Sequence, residues 1–244
     1  MKILIVEDEE AIADGLKFNF EQEGYEAVVT EDGPTALEKF QHEDVPFDLV
    51  VMDLMLPGMS GYETSLEIRK LDNHVPILVL SARTLAEDKA RAFDCGTDQY
   101  MTKPFALPEL LSRVRNLLER RSRASLAESA SELKKSDIFE FGNVRVDFGK
   151  FEVTVGETVH SLTTMEMQLL RYFIEHEDTV LSRPRILEDV WEETADITTR
   201  TIDNFVMRLR RLIEENPQSP RHILSVRGTG YRFIAFPDAD ALEQ

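Results

Sequence analysis

The first half of the chain alternates short apolar runs with longer segments of helical spacing, which restricts the folds it can adopt. The runs KILIV, AVVT, DLVVMD, PILVLS and QYMT are almost wholly apolar. Between them, apolar residues recur every three or four positions, as at Ile12, Leu16 and Phe20. Buried strands alternating with amphipathic helices are typical of a parallel sheet covered on both faces. We therefore predict a doubly wound α/β domain with five parallel strands over residues 1–121.

The sequence changes character after Arg121. Residues 122–137 are rich in Ser, Ala and charge, which predicts a flexible linker, with a short helix at its start as an alternative. Residues 138–237 begin with short alternating strands and continue with three helical segments, the first opened by a Thr163–Glu166 capping box. Two β-like runs meet across Gly228-Thr229-Gly230, a hairpin signal. This order predicts an α+β winged helix-turn-helix domain, followed by a tail at 238–244.

Composition narrows the class of protein. The single cysteine, Cys95, excludes an internal disulfide framework. The apolar run after Met1 is too short for a signal peptide, and no stretch approaches a membrane span, so we expect a cytoplasmic protein without a membrane partner. The net charge of −18 argues against nucleic-acid binding as a whole-chain value, yet residues 197–232 hold seven arginines and three acids. A local basic patch of this kind can attract DNA on an acidic protein.

Polar side chains end four of the five predicted strands. Glu7 and Asp8 follow the first strand, Asp53 ends the third, Ser81 the fourth, and Lys103 follows the fifth. Ligands of open parallel sheets bind beyond the carboxyl ends of the strands, so these side chains should share one edge. Three neighbouring carboxylates repel one another unless a cation lies among them, and oxygen ligands beside a phosphate suit Mg²⁺.

A phosphoryl group completes this site. The Lys103 ammonium and the Ser81 hydroxyl can bind phosphate oxygens, so we interpret Asp53 as a nucleophile that becomes an acyl phosphate, with Mg²⁺ held by Asp8 and Asp53. Glu7 is expected to act through metal-bound water. Each residue alone has a simpler interpretation: Asp53 as a turn cap, Glu7 and Asp8 as a solvated acidic run, Ser81 as a helix cap, and Lys103 as a surface lysine. Convergence from four strands favours the site.

ILIVEDE, DLVVMDLMLPGMSGYE, ILVLSAR and DQYMTKPF closely resemble the receiver domains of bacterial two-component response regulators, from Met1 to about Arg121. The resemblance implies a flavodoxin-like fold with Asp53 as phosphoacceptor and the backbone carbonyl of Met55 as a further metal ligand. It also implies a cis Lys103–Pro104 peptide and a switch role for Tyr100, for which a plain half-buried aromatic is the alternative. Ser60 and Gln99 depart from the family, where acids are usual.

The segment Thr199–Glu215 places Ile202, Phe205, Val206, Leu209, Leu212 and Ile213 on one helical face. A polar, arginine-rich surface lies opposite, which favours a major-groove recognition helix over an ordinary solvated face. LTTMEMQLL, LSRPRILEDVW, RTIDNFVMRLRRLI and SVRGTGYRF resemble the OmpR/PhoB-type effector domain. That resemblance implies DNA contacts from the helix and the wing, and the loop Trp191–Thr198 as a surface for RNA polymerase. The candidate DNA contacts are Arg200, Asn204, Arg208, Arg210, Arg211, Ser225 and Arg227.

The resemblance also implies how the two halves cooperate. Phosphorylation by a sensor histidine kinase would pair two receivers into a homodimer, with Lys89–Glu109 and Asp98 with Arg113 or Arg115 as ion pairs across the dimer face. We therefore expect a phosphorylation-activated transcription regulator that is not an enzyme, although it would dephosphorylate itself slowly. The alternatives are an aspartate-nucleophile phosphohydrolase, disfavoured by Met55 where a second Asp is needed, and an interaction adaptor that binds no DNA.

Overall fold

The structure is a computed structural model that describes residues 1–130, 138–191 and 199–237, without the side chains of residues 120, 123–130, 199 and 200. The chain divides into two units, Met1–Leu126 and Ala127–Gln244. Among the described segments, no helix is long and apolar enough to span a membrane.

The first unit is the predicted doubly wound domain. Five parallel strands lie in the order β2-β1-β3-β4-β5, and a helix follows each strand. The elements are β1 (Lys2–Val6), α1 (Glu10–Gln22), β2 (Glu26–Thr30), α2 (Gly33–His42), β3 (Leu49–Asp53), α3 (Gly61–Leu71), β4 (Ile77–Ser81), α4 (Ala86–Asp94), β5 (Gln99–Thr102) and α5 (Leu107–Ala130). The order reverses direction at β1 and β3, which is where open α/β sheets bind their ligands.

The core of this unit explains the near-continuous apolar strands. Every residue of β1, β3 and β4 is buried, because helices cover both faces of the sheet. Leu16 and Phe20 of α1 pack with Leu110 and Val114 of α5 in a single apolar cluster against the sheet. Their helical spacing in the sequence is therefore the spacing of buried positions.

The turn from β3 to α3 depends on two small residues. Ser60 caps α3, accepting a hydrogen bond from the backbone N–H of Glu63 while the Glu63 carboxylate accepts one from the backbone N–H of Ser60. The serine that departs from the family pattern thus serves as a helix cap. At Gly61 a Cβ atom would lie 2.0 Å from the backbone oxygen of Asp53, so only glycine lets α3 begin this close to β3.

The second unit is the predicted winged helix-turn-helix domain. A four-stranded antiparallel sheet in the order β6-β7-β8-β9 precedes three helices and a small sheet in the order β10-β12-β11. The elements are β6 (Ile138–Phe141), β7 (Val144–Asp147), β8 (Glu152–Val155), β9 (Thr158–Ser161), α6 (Thr164–Glu175), β10 (Leu181–Ser182), α7 (Arg183–Trp191), α8 (Thr199–Ile213), β11 (Ile223–Val226) and β12 (Gly230–Phe233).

Two local predictions concern the start of α6 and the segment predicted as a linker, residues 122–137. The Thr163–Glu166 capping box is present at the start of α6 and is confirmed. Helix α5 continues to Ala130, so the first part of the predicted linker is helical, which is the alternative that the sequence left open. The remainder of the linker, 131–137, and the tail, 238–244, lie outside the described residues.

Candidate functional site

The ends of β1, β3, β4 and β5 bring the predicted polar side chains to one edge of the sheet. Asp53 is the last residue of β3, where it pairs in register with Leu80 of β4. Ser81 is the last residue of β4 and pairs with Thr102 of β5, immediately before Lys103. The Lys103–Pro104 peptide is cis, as the resemblance to receiver domains implied. Parallel strands in register explain why residues far apart in sequence converge.

The Lys103 ammonium lies at the centre of this edge. Its Nζ atom donates to Asp53 Oδ2 at 2.6 Å and to both Glu7 carboxylate oxygens, at 2.8 and 2.7 Å. The side chains of Lys103, Asp53 and Glu7 are 14%, 7% and 2% exposed, so these are buried ion pairs. The other oxygen of Asp53, Oδ1, accepts from the backbone N–H of Met55 at 2.8 Å. Both oxygens of Asp53 are therefore held in defined directions.

Burial and pairing set the charge states at this edge. Burial raises the pKa of Glu7, and the hydrogen bond from Lys103 opposes this effect without cancelling it. Burial alone would lower the pKa of Lys103, but its hydrogen bonds to Asp53 and Glu7 outweigh burial and raise it. Lys103 therefore stays charged, as a counterion to two acids must.

Three carboxylates at this edge form a donor set suited to a divalent cation. One ligand oxygen each from Glu7, Asp8 and Asp53 lies within 4.8 Å of the others. Glu7 and Asp53 are buried, whereas Asp8 is exposed. Because Lys103 supplies one positive charge against three negative charges, the cluster keeps an excess of negative charge. Hard oxygen ligands with open access to water are the chemistry that Mg²⁺ prefers.

Ser81 and Tyr100 are linked through the loop that follows β4. The Ser81 hydroxyl is fully buried and accepts from the backbone N–H of Arg83 at 3.3 Å. The Tyr100 hydroxyl donates to the backbone carbonyl of Arg83 at 2.8 Å, and the Tyr100 side chain is 3% exposed. Burial raises the pKa of Tyr100 to about 12, so the phenol is neutral and acts as a donor. One loop residue thus connects the hydroxyl at the edge with the aromatic ring.

Helix α8 buries most of the face that the sequence assigned to the core. Ile202, Phe205, Val206, Leu209 and Ile213 are at most 2% exposed, whereas Leu212 is half-buried. On the other side, Arg211 is exposed and Asn204 is half-buried, while Arg227 is exposed in the β11–β12 turn. These three predicted DNA contacts are therefore accessible. The side chain of Arg200 and residues 192–198 of the loop predicted to face RNA polymerase lie outside the described residues.

Arg210 is buried, whereas the sequence placed it on the surface of the recognition helix. It is 8% exposed, and its guanidinium donates to the backbone carbonyl of Ile223 through Nε at 2.9 Å and Nη2 at 2.6 Å. The same Nη2 donates to the Ser225 hydroxyl at 3.0 Å. The prediction of Arg210 as an exposed DNA contact is wrong, because the side chain is turned inward to hold the wing strand. Ser225 is exposed, but its hydroxyl already serves this internal bond.

A second network joins α8 to α7 and the wing. The Tyr231 hydroxyl donates to Asp203 Oδ1 at 2.6 Å, and Arg183 Nε donates to the same oxygen at 2.8 Å. The Arg183 guanidinium also lies over the Tyr231 ring, 4.8 Å from its centre. Burial raises the pKa of Tyr231 to about 12. One carboxylate on α8 therefore orients a residue of α7 and a residue of β12.

Comparison with known proteins identifies both units. Residues 3–115 match the response regulator receiver domain, and residues 156–233 match the C-terminal domain of transcriptional regulatory proteins. The sensory transduction protein RegX3 of Mycolicibacterium smegmatis is 38% identical over 230 residues, which is 94% of this chain and 97% of the relative. The chain belongs to the OmpR/PhoB family of two-component response regulators.

Other relatives agree with this membership. The alkaline phosphatase synthesis transcriptional regulatory protein PhoP of Bacillus subtilis is 36% identical over 234 residues, 95% of each chain. A solved structure of a RitR mutant has a TM-score of 0.71 over 95% of this chain and 98% of that chain, at 24% identity, and supports the fold alone. This response regulator is therefore a transcriptional regulator with a receiver and a DNA-binding domain, which displaces the hydrolase and adaptor alternatives.

The residues predicted for the regulator's dimer face have partners within the single chain. Glu109 pairs with Arg113 at 2.6 Å, Arg115 pairs with Glu23 at 3.1 Å, and the Lys89 ammonium lies over the Tyr100 ring at 5.6 Å. Pairing across a dimer remains a prediction for all of them.

The position expected for Asp98 on that face is wrong. Asp98 is 1% exposed and its Oδ2 atom lies 2.7 Å from Arg69 Nη2. The same Asp98 oxygen accepts from the backbone N–H of Ile77 at 2.8 Å. A carboxylate placed this way fixes the start of β4 against the end of α3.

Proposed function

We propose that the regulator is switched on when a sensor histidine kinase transfers a phosphoryl group to Asp53. The observation that carries this proposal is the edge cluster, in which one ammonium bridges Asp53 and Glu7 while Asp8 lies within 4.8 Å of both acids. A site that only capped a turn would not need an ammonium and three converging acids. The proposed reaction forms a bond from a carboxylate oxygen of Asp53 to phosphorus and breaks the bond between phosphorus and the donor histidine nitrogen.

Mg²⁺ fits the donor set of Glu7, Asp8 and Asp53, with the Met55 carbonyl as the further proposed ligand. When bound, the ion would supply positive charge that stabilises the oxygens of the transferring phosphoryl group. The protein's own residues orient the nucleophile: Lys103 holds Asp53 Oδ2 and the Met55 N–H holds Oδ1. Lys103 and the Ser81 hydroxyl are the groups that would bind phosphoryl oxygens. Water reaching the same site would account for slow self-dephosphorylation.

Phosphorylation of Asp53 would change the conformation of the rest of the protein through the loop at Arg83. A phosphoryl oxygen that accepts a hydrogen bond from the Ser81 hydroxyl would draw this group toward Asp53 and away from the Arg83 N–H, from which it now accepts. The Tyr100 hydroxyl depends on the carbonyl of the same residue. Displacing the loop would therefore change the position of the Tyr100 ring next to Lys89, on the face proposed to pair in a homodimer.

The winged domain would bind promoter DNA in the cytoplasm, with α8 in the major groove and the β11–β12 turn at the adjacent minor groove. Asn204, Arg208 and Arg211 are the proposed helix contacts, together with Arg200, and Arg227 is the proposed wing contact. Arg210 and Ser225 take an indirect part, because their bond fixes the wing against α8. The segment 192–198 is the proposed surface for RNA polymerase.

The assignment of Asp53 is tested by exposing the full-length protein to acetyl phosphate and Mg²⁺ and detecting phosphorylation by intact-mass spectrometry. We expect wild type to be labelled and Asp53→Ala to remain unlabelled. Asp94→Ala, which removes an exposed acid at the end of α4, is the matched control and should be labelled like wild type. Undiminished labelling of Asp53→Ala would show that another residue accepts the phosphoryl group.

The wing contact is tested by Arg227→Ala in a salt titration of DNA binding. Because an exposed arginine that contacts a phosphate releases about one counterion, its loss should weaken binding and reduce the salt slope by about 1. Fluorescence anisotropy at several salt concentrations measures both quantities. Arg145→Ala, at an exposed position of β7, is the control and should leave the slope unchanged. An unchanged slope for Arg227→Ala would place Arg227 away from the DNA backbone.

A further inference from the structure

Glu166, near the start of α6, contacts an arginine of the recognition helix. Its two carboxylate oxygens have separate partners: Oε2 accepts from the backbone N–H of Thr163 at 2.8 Å, and Oε1 lies 2.7 Å from Arg208 Nη2 on α8. Glu166 is 4% exposed, and the Arg208 side chain is 19% exposed. A single buried carboxylate therefore both caps one helix and holds a cation of another.

We propose that Glu166 is a positioning residue that fixes the direction of the Arg208 side chain and thereby sets how strongly the regulator discriminates between DNA sequences. This inference rests on the proposed DNA contact of Arg208 and takes that contact to be with a base edge. Glu166 itself is nearly fully buried, so its effect on sequence discrimination, as distinct from that of its charge on general affinity, passes through the arginine.

The contacts around Arg208 explain why such positioning matters. An arginine side chain has many rotamers, and ordering it at the moment of binding costs conformational entropy unless the free protein has already ordered it. Arg208 is held by Glu166 on one side and lies 5.5 Å from the centre of the Phe205 ring. Because a guanidinium carries five N–H donors in a rigid plane, it can hold a carboxylate and contact a base edge together.

The negative charge of Glu166 is expected to affect sequence discrimination and overall DNA affinity in different ways. A carboxylate close to the DNA-binding face weakens the general attraction for phosphates, so Glu166 does not help non-specific binding. What it supplies is geometry, which benefits only a bidentate contact to the correct base. Removal of the charge should therefore reduce sequence discrimination while non-specific binding is kept or increased.

The test is Glu166→Gln in the full-length protein. Glutamine keeps the length of the side chain and an oxygen that can accept from the Thr163 N–H, but it presents an uncharged amide group to Arg208. The probes are duplexes selected from a random library by the wild-type protein, and shuffled duplexes of the same composition. We expect the ratio of the two affinities to fall about fivefold or more, with no weakening of binding to the shuffled duplex.

Two variants separate this role from simple stability. Thr163→Ala removes the hydroxyl that caps α6 and leaves the Glu166–Arg208 pair, so it should lower thermal stability without changing the affinity ratio. Glu175→Gln makes the same charge change at an exposed position of α6 and should change neither quantity. An equal loss of both affinities in Glu166→Gln would mean a structural role only and would overturn the inference, as would an unchanged ratio.

The double variant decides whether Glu166 acts through Arg208. Arg208→Ala should lower the ratio, and adding Glu166→Gln to it should lower the ratio no further. A further fall would show that Glu166 acts by another route and would overturn the inference. If Arg208→Ala alone leaves the ratio unchanged, the base contact assigned to Arg208 is wrong. That outcome would overturn the inference by refuting the proposed role of Arg208, and not by showing that Glu166 fails to position it.

Discussion

Replacement of Asp8 by Asn should have opposite effects on the receiver with and without magnesium. Asp8 is the exposed member of the edge cluster, and Lys103 pairs with the other two acids. Glu7, Asp53 and Lys103 together carry one net negative charge. Asp8 therefore faces net repulsion in the metal-free protein, and the substitution removes it without breaking an ion pair with Lys103.

The size of the effect follows from the spacing of the cluster. The ligand oxygens lie within 4.8 Å of one another. One net charge at that distance gives a repulsion of about 0.9 kcal/mol at the dielectric constant of water and about 3.5 kcal/mol at an effective value of 20. Because Asp8 is exposed, the lower figure applies, and Asp8→Asn should stabilise the metal-free receiver by ~1 kcal/mol, or about 3–5 °C in melting temperature.

Magnesium should reverse this order of stability. Wild type should gain about 2.7 kcal/mol when the free ion is at one hundred times its dissociation constant. Asp8→Asn loses one of the three carboxylates that would hold the ion, so it should gain much less. Wild type should then be the more stable protein in magnesium, and Asp8→Asn the more stable in a chelator.

Calorimetry of the full-length protein, with a chelator and with excess magnesium, measures which of the two proteins is more stable in each condition. The single tryptophan, Trp191, is buried in the winged domain, so its fluorescence identifies the transition of that domain and leaves the other to the receiver. Asp14→Asn, an exposed position on α1, is the control and should change stability by less than about 0.5 kcal/mol in both conditions. A less stable Asp8→Asn in chelator, or an equal magnesium gain, refutes the electrostatic reasoning.

Three further substitutions test a close backbone contact in the receiver and a buried tyrosine in the winged domain. Gly61→Ala should destabilise the receiver by about 1–3 kcal/mol, because its Cβ would lie 2.0 Å from a backbone oxygen. The Cβ of Gly15→Ala meets nothing within 4 Å, so this variant should stabilise α1 by about 0.5–1 kcal/mol. Urea unfolding measures both variants, and the opposite ranking of their stabilities would contradict this reasoning. Tyr231 has its pKa raised to about 12 from an ordinary value near 10, so its contribution to stability is complete below pH 10 and lost as pH rises to 12. Unfolding followed by Trp191 fluorescence at pH 9 and 11 should show a larger loss for wild type than for Tyr231→Phe, and equal losses would exclude this role.

The edge of the receiver sheet was predictable because its pattern is local. An apolar run that ends in Asp53 or Ser81 specifies both a buried strand and the residue at its end, and parallel order then brings those ends together. The apolar face of α8 was predictable for the same reason, since Ile202, Phe205 and Leu209 repeat with the helical period. In both cases the sequence interval between residues determines their geometry.

The partners of long charged side chains were not predictable in this way. Arg208 and Arg210 differ by two positions and both suit a basic surface, yet Arg208 pairs with Glu166 and Arg210 turns toward β11. Asp98 likewise meets Arg69 from another element. Such contacts depend on how helices and strands cross in space, and the sequence carries no period that reports them. The T-x-x-E pattern indicated that Glu166 caps α6, but it gave no signal of the second partner.

The lysine between Asp53 and Glu7 means that the resting receiver carries its own counterion. An incoming divalent ion would have to share these oxygens with an ammonium that already neutralises part of their charge, so its measured affinity would include the rearrangement of that lysine. A phosphoryl group on Asp53 would offer Lys103 new oxygens in place of the carboxylate oxygen it now holds. Activation would then be an exchange of partners around one lysine ammonium, with little change in the total number of charge contacts.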